Sequence, residues 1–277
     1  MELLMFTKML KNIGNLTLEQ AGDYIVEMGF DGADLTVRPG GYVLPEEATK
    51  RLPEAIELLR SKGLVVPMIT SSITDPKKGY AEEIFKTASE CGVRFIKLGY
   101  WVYEGFGKIK EQIAKVREKL RGIESLSRDY GVTAAIHTHS GAYLSANPAM
   151  MLMLLQGHDP EYVCAYIDPG HMLSESGPSG WEMGIDLLSE YIRLVAVKNF
   201  RWFRVTDERT GEKRWEIRML PLKEEIVPWH RFFKYLKTIG FDGPVSVHSE
   251  YEHLNLEGLI RQTREDLEYL KEVLKKI

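Results

Sequence analysis

Short apolar runs alternate with longer amphipathic stretches eight times along this 277-residue chain, roughly every 30 to 40 residues. The runs are 3–9, 32–38, 64–70, 93–99, 132–138, 164–170, 193–199 and 244–250, all rich in Val, Ile, Phe and Leu. A segment of helical spacing follows each one. In the last of these, Leu256, Leu259, Ile260, Thr263, Leu267, Leu270, Leu274 and Ile277 share a face among charged neighbours. Strands separated by helices pair in parallel, through right-handed crossovers. Eight such units in this length predict an α/β fold, a (β/α)8 TIM barrel, with residues 1–277 as a single domain. An open doubly wound sheet is the alternative, and it would require a topological switch point.

Local punctuation agrees with that parsing. Gly29, Gly63, Gly92, Gly131 and Gly240 stand between a helical stretch and the next strand, where a positive φ ends a helix at low cost. Thr17 with Gln20 predicts a capping box, and Asn147-Pro148 an N-cap followed by a first-turn proline. The one long interval, about 200–222, places Trp202/Arg204 and Trp215/Ile217 on two alternating arms around a Thr-Gly turn, which predicts a β-hairpin inserted after strand seven. Met150, Met151 and Met153 read as helix core.

Composition limits the function. With 36 Lys+Arg against 40 Asp+Glu the net charge is −4 and the isoelectric point near 6.0, which argues against a general nucleic-acid binder. No apolar stretch approaches the roughly 20 residues of a membrane span, and the N-terminus does not read as a leader, so a cytoplasmic chain without a membrane partner is expected. Cys91 and Cys164 lie in apolar contexts and read as buried thiols.

In a barrel the chemistry lies at the C-terminal ends of the strands, and side-chain parity sorts inward from outward positions. Lys97 shares parity with Phe95, His137 and His139 with Ala135, Asp168 with Tyr166, Lys198 with Ala196, and His248 and Glu250 with Ser246. Polar groups trapped beneath the helices would be costly, so these should point inward. The predicted mouth holds Arg38, Thr70, Lys97, His137, His139, Asp168, Lys198, His248 and Glu250, with His171, Asn199 and Trp202 on adjoining loops. Its imidazoles and carboxylates suit a divalent metal such as Mn, Zn, Co or Fe. Tyr100, Trp101, Tyr143 and Trp202 offer stacking faces near the mouth, and the loop RPGGYVLP could close over it.

A strand ending in Ile-Asp-Pro-Gly-His (167–171), another ending in Val-Lys-Asn (197–199) and a last strand Gly-Pro-Val-Ser-Val-His-Ser-Glu (243–250) resemble the xylose-isomerase-like sugar (phosphate) isomerase/epimerase superfamily. That superfamily also contains dehydratases and endonuclease-IV-type nucleases. The resemblance implies one divalent metal held by Glu, Asp, His and Glu on strands five to eight, the two glutamates doubling as acid/base groups. By strand position this chain has His137, Asp168, Ala196 and His248 there.

The expected metal set is therefore His137, Asp168 and His248, with Lys198, His139 and Glu250 catalytic and with Arg38, Thr70, Lys97, Trp101, His171, Asn199 and Trp202 contacting substrate. A metal-free site, in which Lys198 polarises a carbonyl and histidines move protons, is the alternative. The expected function is an isomerase or epimerase of a small sugar or keto-sugar, working through an enediolate. A lyase on a keto-sugar or keto-glycoside and a non-catalytic sugar-binding barrel are its rivals, and a homo-oligomer is expected. Seven histidines and an acidic balance weigh against the nuclease branch, whose trinuclear zinc cluster needs more ligands.

Overall fold

A computed structural model describes all residues, 1–277. The eight predicted strands form, and they close on themselves: β1 (Leu3–Phe6), β2 (Gly32–Val37), β3 (Val65–Ser71), β4 (Phe95–Lys97), β5 (Thr133–His137), β6 (Val163–Ile167), β7 (Ile192–Val197) and β10 (Val245–Val247). The order around the ring is β1-β10-β7-β6-β5-β4-β3-β2, every pairing parallel. Leu3 opposite Val245 and Leu4 opposite Gly32 make β1 the seam between the last strand and the second. The closed parallel ring excludes the open doubly wound sheet. The strands are shorter than the apolar runs, most visibly β4 and β10, because the run ends curl into the loops that carry the polar side chains.

The helices are α1 (Lys8–Asn12), α2 (Leu18–Met28), α3 (Ala48–Ser61), α4 (Ala81–Glu90), α5 (Ile109–Tyr130), α6 (Pro148–Leu155), α7 (Pro169–Ser176), α8 (Gly180–Leu188), α9 (Trp229–Thr238) and α10 (Leu256–Lys275). The short α1 continues directly from β1 and lies outside the sequence expectation. Thr17 makes the predicted capping box with Gln20, and the Asn147 side chain caps α6 through the Met150 N–H, with Pro148 in the first turn. All five punctuating glycines have positive φ. Gly32 is required for a different reason: a Cβ there would lie 2.1 Å from the Val65 carbonyl oxygen, so the close approach of β2 and β3 admits no side chain. No helix is long and apolar enough to cross a membrane.

Two cores result from strand parity. Outward side chains pack with the helices into one large cluster, which includes Leu35, Phe85, Leu120, Trp181, Trp229 and Leu270. Inward ones form a small cluster inside the ring: Leu4, Met68, Ala135, Cys164, Tyr166, Leu194 and Ala196, with Phe95 against it. Small residues at 135 and 196 leave room for the Tyr166 ring. This plug is the floor of the mouth. Cys164 is fully buried as expected, whereas Cys91 is only half-buried. Met151 is core, but Met153 is exposed, because α6 turns that side of the methionine run outward.

The predicted hairpin stands after β7 as β8 (Asn199–Thr206) and β9 (Lys213–Leu220), with Trp202 opposite Ile217 and Arg204 opposite Trp215. Its feet are tied to the barrel. Asn199 Nδ2 donates to the Pro221 carbonyl at 2.9 Å, and buried Asp266 of α10 accepts from the Leu222 N–H at 2.9 Å and from the Tyr251 hydroxyl at 2.5 Å.

Candidate active site

The inward polar residues at the strand ends meet as parity predicted. Phe6, Lys8, Arg38, Thr70, Lys97, Tyr100, His137, His139, Tyr166, Lys198, His248 and Glu250 line a cavity of about 250 Å³ above the plug. A larger cavity of about 770 Å³ joins it at Lys8, His139, Lys198 and Glu250 and is walled by Phe203, Ile217 and Met219 of the hairpin.

Its electrostatic centre is Lys198. The ammonium lies 2.9 Å from Glu250 Oε2 and 3.6 Å from Asp168 Oδ2. Burial opposes the charge, but Glu250 and Asp168 outweigh it and hold Lys198 above the ordinary lysine range. Burial also opposes ionisation of Glu250, yet Lys198 and Lys8, the latter 2.6 Å from Oε1, keep it well below the usual carboxylate range. Both Glu250 oxygens are therefore engaged. Glu250, expected as a base, is paired with Lys8 through one oxygen and with Lys198 through the other.

Backbone geometry at Ser140 sets two histidine tautomers. The Ser140 carbonyl can only accept, so the contact at 2.9 Å with His139 Nδ1 puts the proton on that nitrogen and leaves Nε2 with a free lone pair. Burial, with Lys198 next, lowers His139 to about 4, so the ring is neutral at pH 7. The Ser140 N–H donates to His171 Nδ1 at 3.0 Å, so the neutral His171 ring carries its proton on Nε2. That N–H is 3.7 Å from Asp168 Oδ2.

Asp168 caps α7 through Oδ1, which accepts the Gly170 and His171 N–H groups. Its Oδ2 is buried without a hydrogen-bond partner, as are His137 Nε2, 3.6 Å from it, and His171 Nε2. Burial raises Asp168 to about 7 against the pull of Lys198. These three unpaired atoms face one another, as a divalent-ion site would require. The donor set nevertheless does not fit such an ion. His171 has no Nε2 lone pair to give, and the Lys198 ammonium faces the same carboxylate oxygen. His248 is turned aside: its Nε2 is 2.9 Å from the Tyr166 hydroxyl and 3.9 Å from Asp34 Oδ2, and its ring stacks on Phe6. No group of three His, Cys, Asp or Glu side chains is placed to hold a metal, so His137, Asp168 and His248 do not assemble as expected.

The remaining predictions divide. Arg38, Thr70 and Lys97 line the inner cavity and His171 the outer one. Thr70 donates to Asp34 Oδ1 at 2.7 Å, and Lys97 stands 3.6 Å over the Tyr100 ring. Trp101 is no stacking platform: it is buried in the outer core, its indole N–H on the Thr74 carbonyl. Asn199 is a hairpin anchor, and Trp202 lies outside both cavities. Lys8 and Asp34 lie outside the expected set. Lys8 follows Phe6 at the inward parity, and Asp34 precedes Arg38 at its parity, so the same rule could have found both.

Residues 23–273 match the family described as Xylose isomerase-like TIM barrel. The chain belongs to that family. It matches no curated protein. Among solved structures it is similar to the 3-keto-D-glucoside 4-epimerase of E. coli, with 15% identity over 98% of this chain and 99% of that one and a TM-score of 0.68. The D-psicose 3-epimerase of Clostridium cellulolyticum H10, solved with D-tagatose, gives 14% identity over 99% of both chains and a TM-score of 0.72. A barrel from Mycobacterium smegmatis in complex with magnesium gives 18% identity over 95% of this chain and 91% of that one, with a TM-score of 0.64. At these identities the likeness is one of fold.

Proposed function

We propose that this barrel isomerises or epimerises a keto-sugar by moving a proton on the carbon beside the carbonyl. The observation that carries the reading is the pairing of an unprotonated imidazole nitrogen, His139 Nε2, with a fixed ammonium, Lys198, on the walls of the same two cavities. His139 takes the proton. The C–H electron pair becomes the C=C bond of an enediol, and the carbonyl oxygen, gaining negative charge, is held by Lys198. Return of the proton to the neighbouring carbon, with the hydroxyl proton passing from one enediol oxygen to the other, gives the isomer, and return of a proton to the original carbon on its opposite face gives the epimer. With Glu250 paired on both oxygens, His139 is the base with an identified free lone pair, and a single base favours isomerisation.

The residues present do not supply the metal site that the resemblance implies, so no step is assigned to a metal. The likeness to epimerase barrels supports the choice of a sugar substrate. The test is solvent exchange: ketoses incubated with the enzyme in deuterated water, followed by NMR. Deuterium at the carbon beside the carbonyl, with no change of mass beyond the exchange, is the expected outcome. Loss of water or of a glycoside would instead identify a lyase, and binding without exchange a non-catalytic barrel.

A further inference from the structure

Two lysines line the inner cavity from separate strands: Lys97 ends β4, and Lys198 follows β7. Both are 3% exposed, but their partners differ. Lys198 has Glu250 at 2.9 Å and Asp168 at 3.6 Å, whereas Lys97 makes no hydrogen bond and no ion pair. The Lys97 amine meets only the face of the Tyr100 ring, 3.6 Å from its centroid. A ring face accepts an N–H from a neutral amine as well as from an ammonium. Burial and the Arg38 guanidinium hold Lys97 well below the ordinary lysine range, and Lys198 adds to them against the weaker pull of Asp34 and Glu250. The same cavity thus presents a fixed ammonium and, rising from the level of Ala135 on its floor, an amine with a free lone pair.

We propose that Lys97 is a nucleophile that condenses with the open-chain carbonyl of the keto-sugar to form an imine, a claim resting on the keto-sugar reading above. Lys198 is assigned there to the carbonyl oxygen, and the carbonyl carbon is left open to a second group lining the same cavity. A lysine desolvated beside another cation is suited to that attack. The Nζ lone pair forms the C–N bond while the C=O π pair moves to oxygen, and a proton passing from nitrogen to oxygen gives the carbinolamine. The oxygen then takes a second proton and leaves as water as the nitrogen lone pair closes the C=N bond. Release of the remaining N–H proton gives the neutral imine, so amine and ketone yield imine and water with no net proton change. While protonated, the imine draws electrons from the neighbouring carbon more strongly than a carbonyl does, so His139 on the same wall exchanges the adjacent proton from this species as well.

The experiment treats the whole protein at pH 7 with dihydroxyacetone, the smallest ketose, and sodium cyanoborohydride, which reduces a protonated imine to a stable amine. Peptide mapping by mass spectrometry then locates the label. A surface lysine is unprotonated only about once in 2,500 at this pH. Lys97 should therefore be labelled at least about tenfold faster than any other lysine, its peptide gaining the mass of the ketose less one oxygen atom. Lys97→Met and Lys97→Arg should both lose the fast label, with circular dichroism confirming the fold; the Arg variant keeps a cation and offers no nucleophilic lone pair. Labelling of Lys97 no faster than that of surface lysines, or a fast label that falls on Lys198 or persists in both variants, overturns the proposal. The label is read as mass without turnover, so the two readings fail separately. Fast labelling of Lys97 without solvent exchange of any ketose would retain this nucleophile and lose the isomerase, whereas exchange with Lys97 unlabelled would retain the isomerase and overturn the imine.

Discussion

Lys198 and Glu250 meet at 2.9 Å across the boundary between β7 and β10, the ammonium 3% exposed and the carboxylate 16%. A buried pair of this kind is more informative about function than about stability, because two apolar groups of equal volume would hold the strands as well. In the proposed reaction it supplies a charge fixed in advance where a carbonyl oxygen would become negative.

Replacing Lys198 by Met should therefore lower kcat/KM for solvent exchange by about 100- to 1000-fold, the scale of losing one oxyanion donor. It should also destabilise the fold by about 3 kcal/mol, since Glu250 and Asp168 lose their cation. Adding Glu250→Gln to that variant should recover part of the stability and none of the activity. Urea unfolding with NMR-detected exchange reads both, and recovery of activity in the double variant would remove Lys198 from the chemistry.

His139→Gln keeps a side chain able to reach the Ser140 carbonyl and removes the basic nitrogen. Exchange should fall by about 100- to 10,000-fold, the range for a general base. In the unsubstituted enzyme the imidazole must be neutral to act. With its pKa lowered to about 4, the loss of activity it causes on acidification should centre near pH 4 and not near the ordinary imidazole value. A limb near 6.5 that disappears in the Gln variant would contradict the assigned environment.

Asp34 lies fully buried beneath the mouth, its oxygens taking the hydroxyls of Thr70 and Ser246, and burial raises it to about 6 from 3.8. A carboxyl whose folded pKa is raised stabilises the fold below about pH 4, and that contribution is lost as pH rises through 6. That rise corresponds to about 3 kcal/mol. The stability difference between Asp34→Asn and the unsubstituted protein should thus move by about that amount in the variant's favour between pH 4 and pH 7.5. Other titrating groups are common to both proteins and cancel. A difference equal at the two pH values would show that Asp34 is not held neutral.

Asp266→Ala should cost about 3 kcal/mol, because the Leu222 N–H and the Tyr251 hydroxyl lose a buried acceptor. Hydrogen exchange should quicken first in residues 199–222, since these contacts tie down the foot of the hairpin. Uniform quickening over the whole barrel would place the effect elsewhere.

The barrel was legible because a period of two and a period of 3.6 cannot be confused over eight repeats, and the glycines at 29 and 131 marked where one gave way to the other. Parity alone brought Lys97, His137, Lys198 and His248 to one cavity. It could not reveal which nitrogen of His139 or His171 holds a proton, because the Ser140 backbone decides that. Nor could it separate Trp101, buried among helices, from an aromatic at the mouth, since the chain leaves β4 through an irregular loop where alternation no longer applies. Lys8 stands two residues after Phe6, at the inward parity, so the same rule reaches it.

The place of Glu250 on the ring has a developmental meaning. Its two oxygens take a lysine from the first βα unit and another from the seventh, so the charge pattern of the mouth is assembled only when the last strand docks beside the first. Without the eighth unit Lys198 would keep only Asp168, at 3.6 Å, as a counter-charge, and Lys8 none. The full charge pattern of the mouth is thus a property of the finished circle, absent from every partial arc of it.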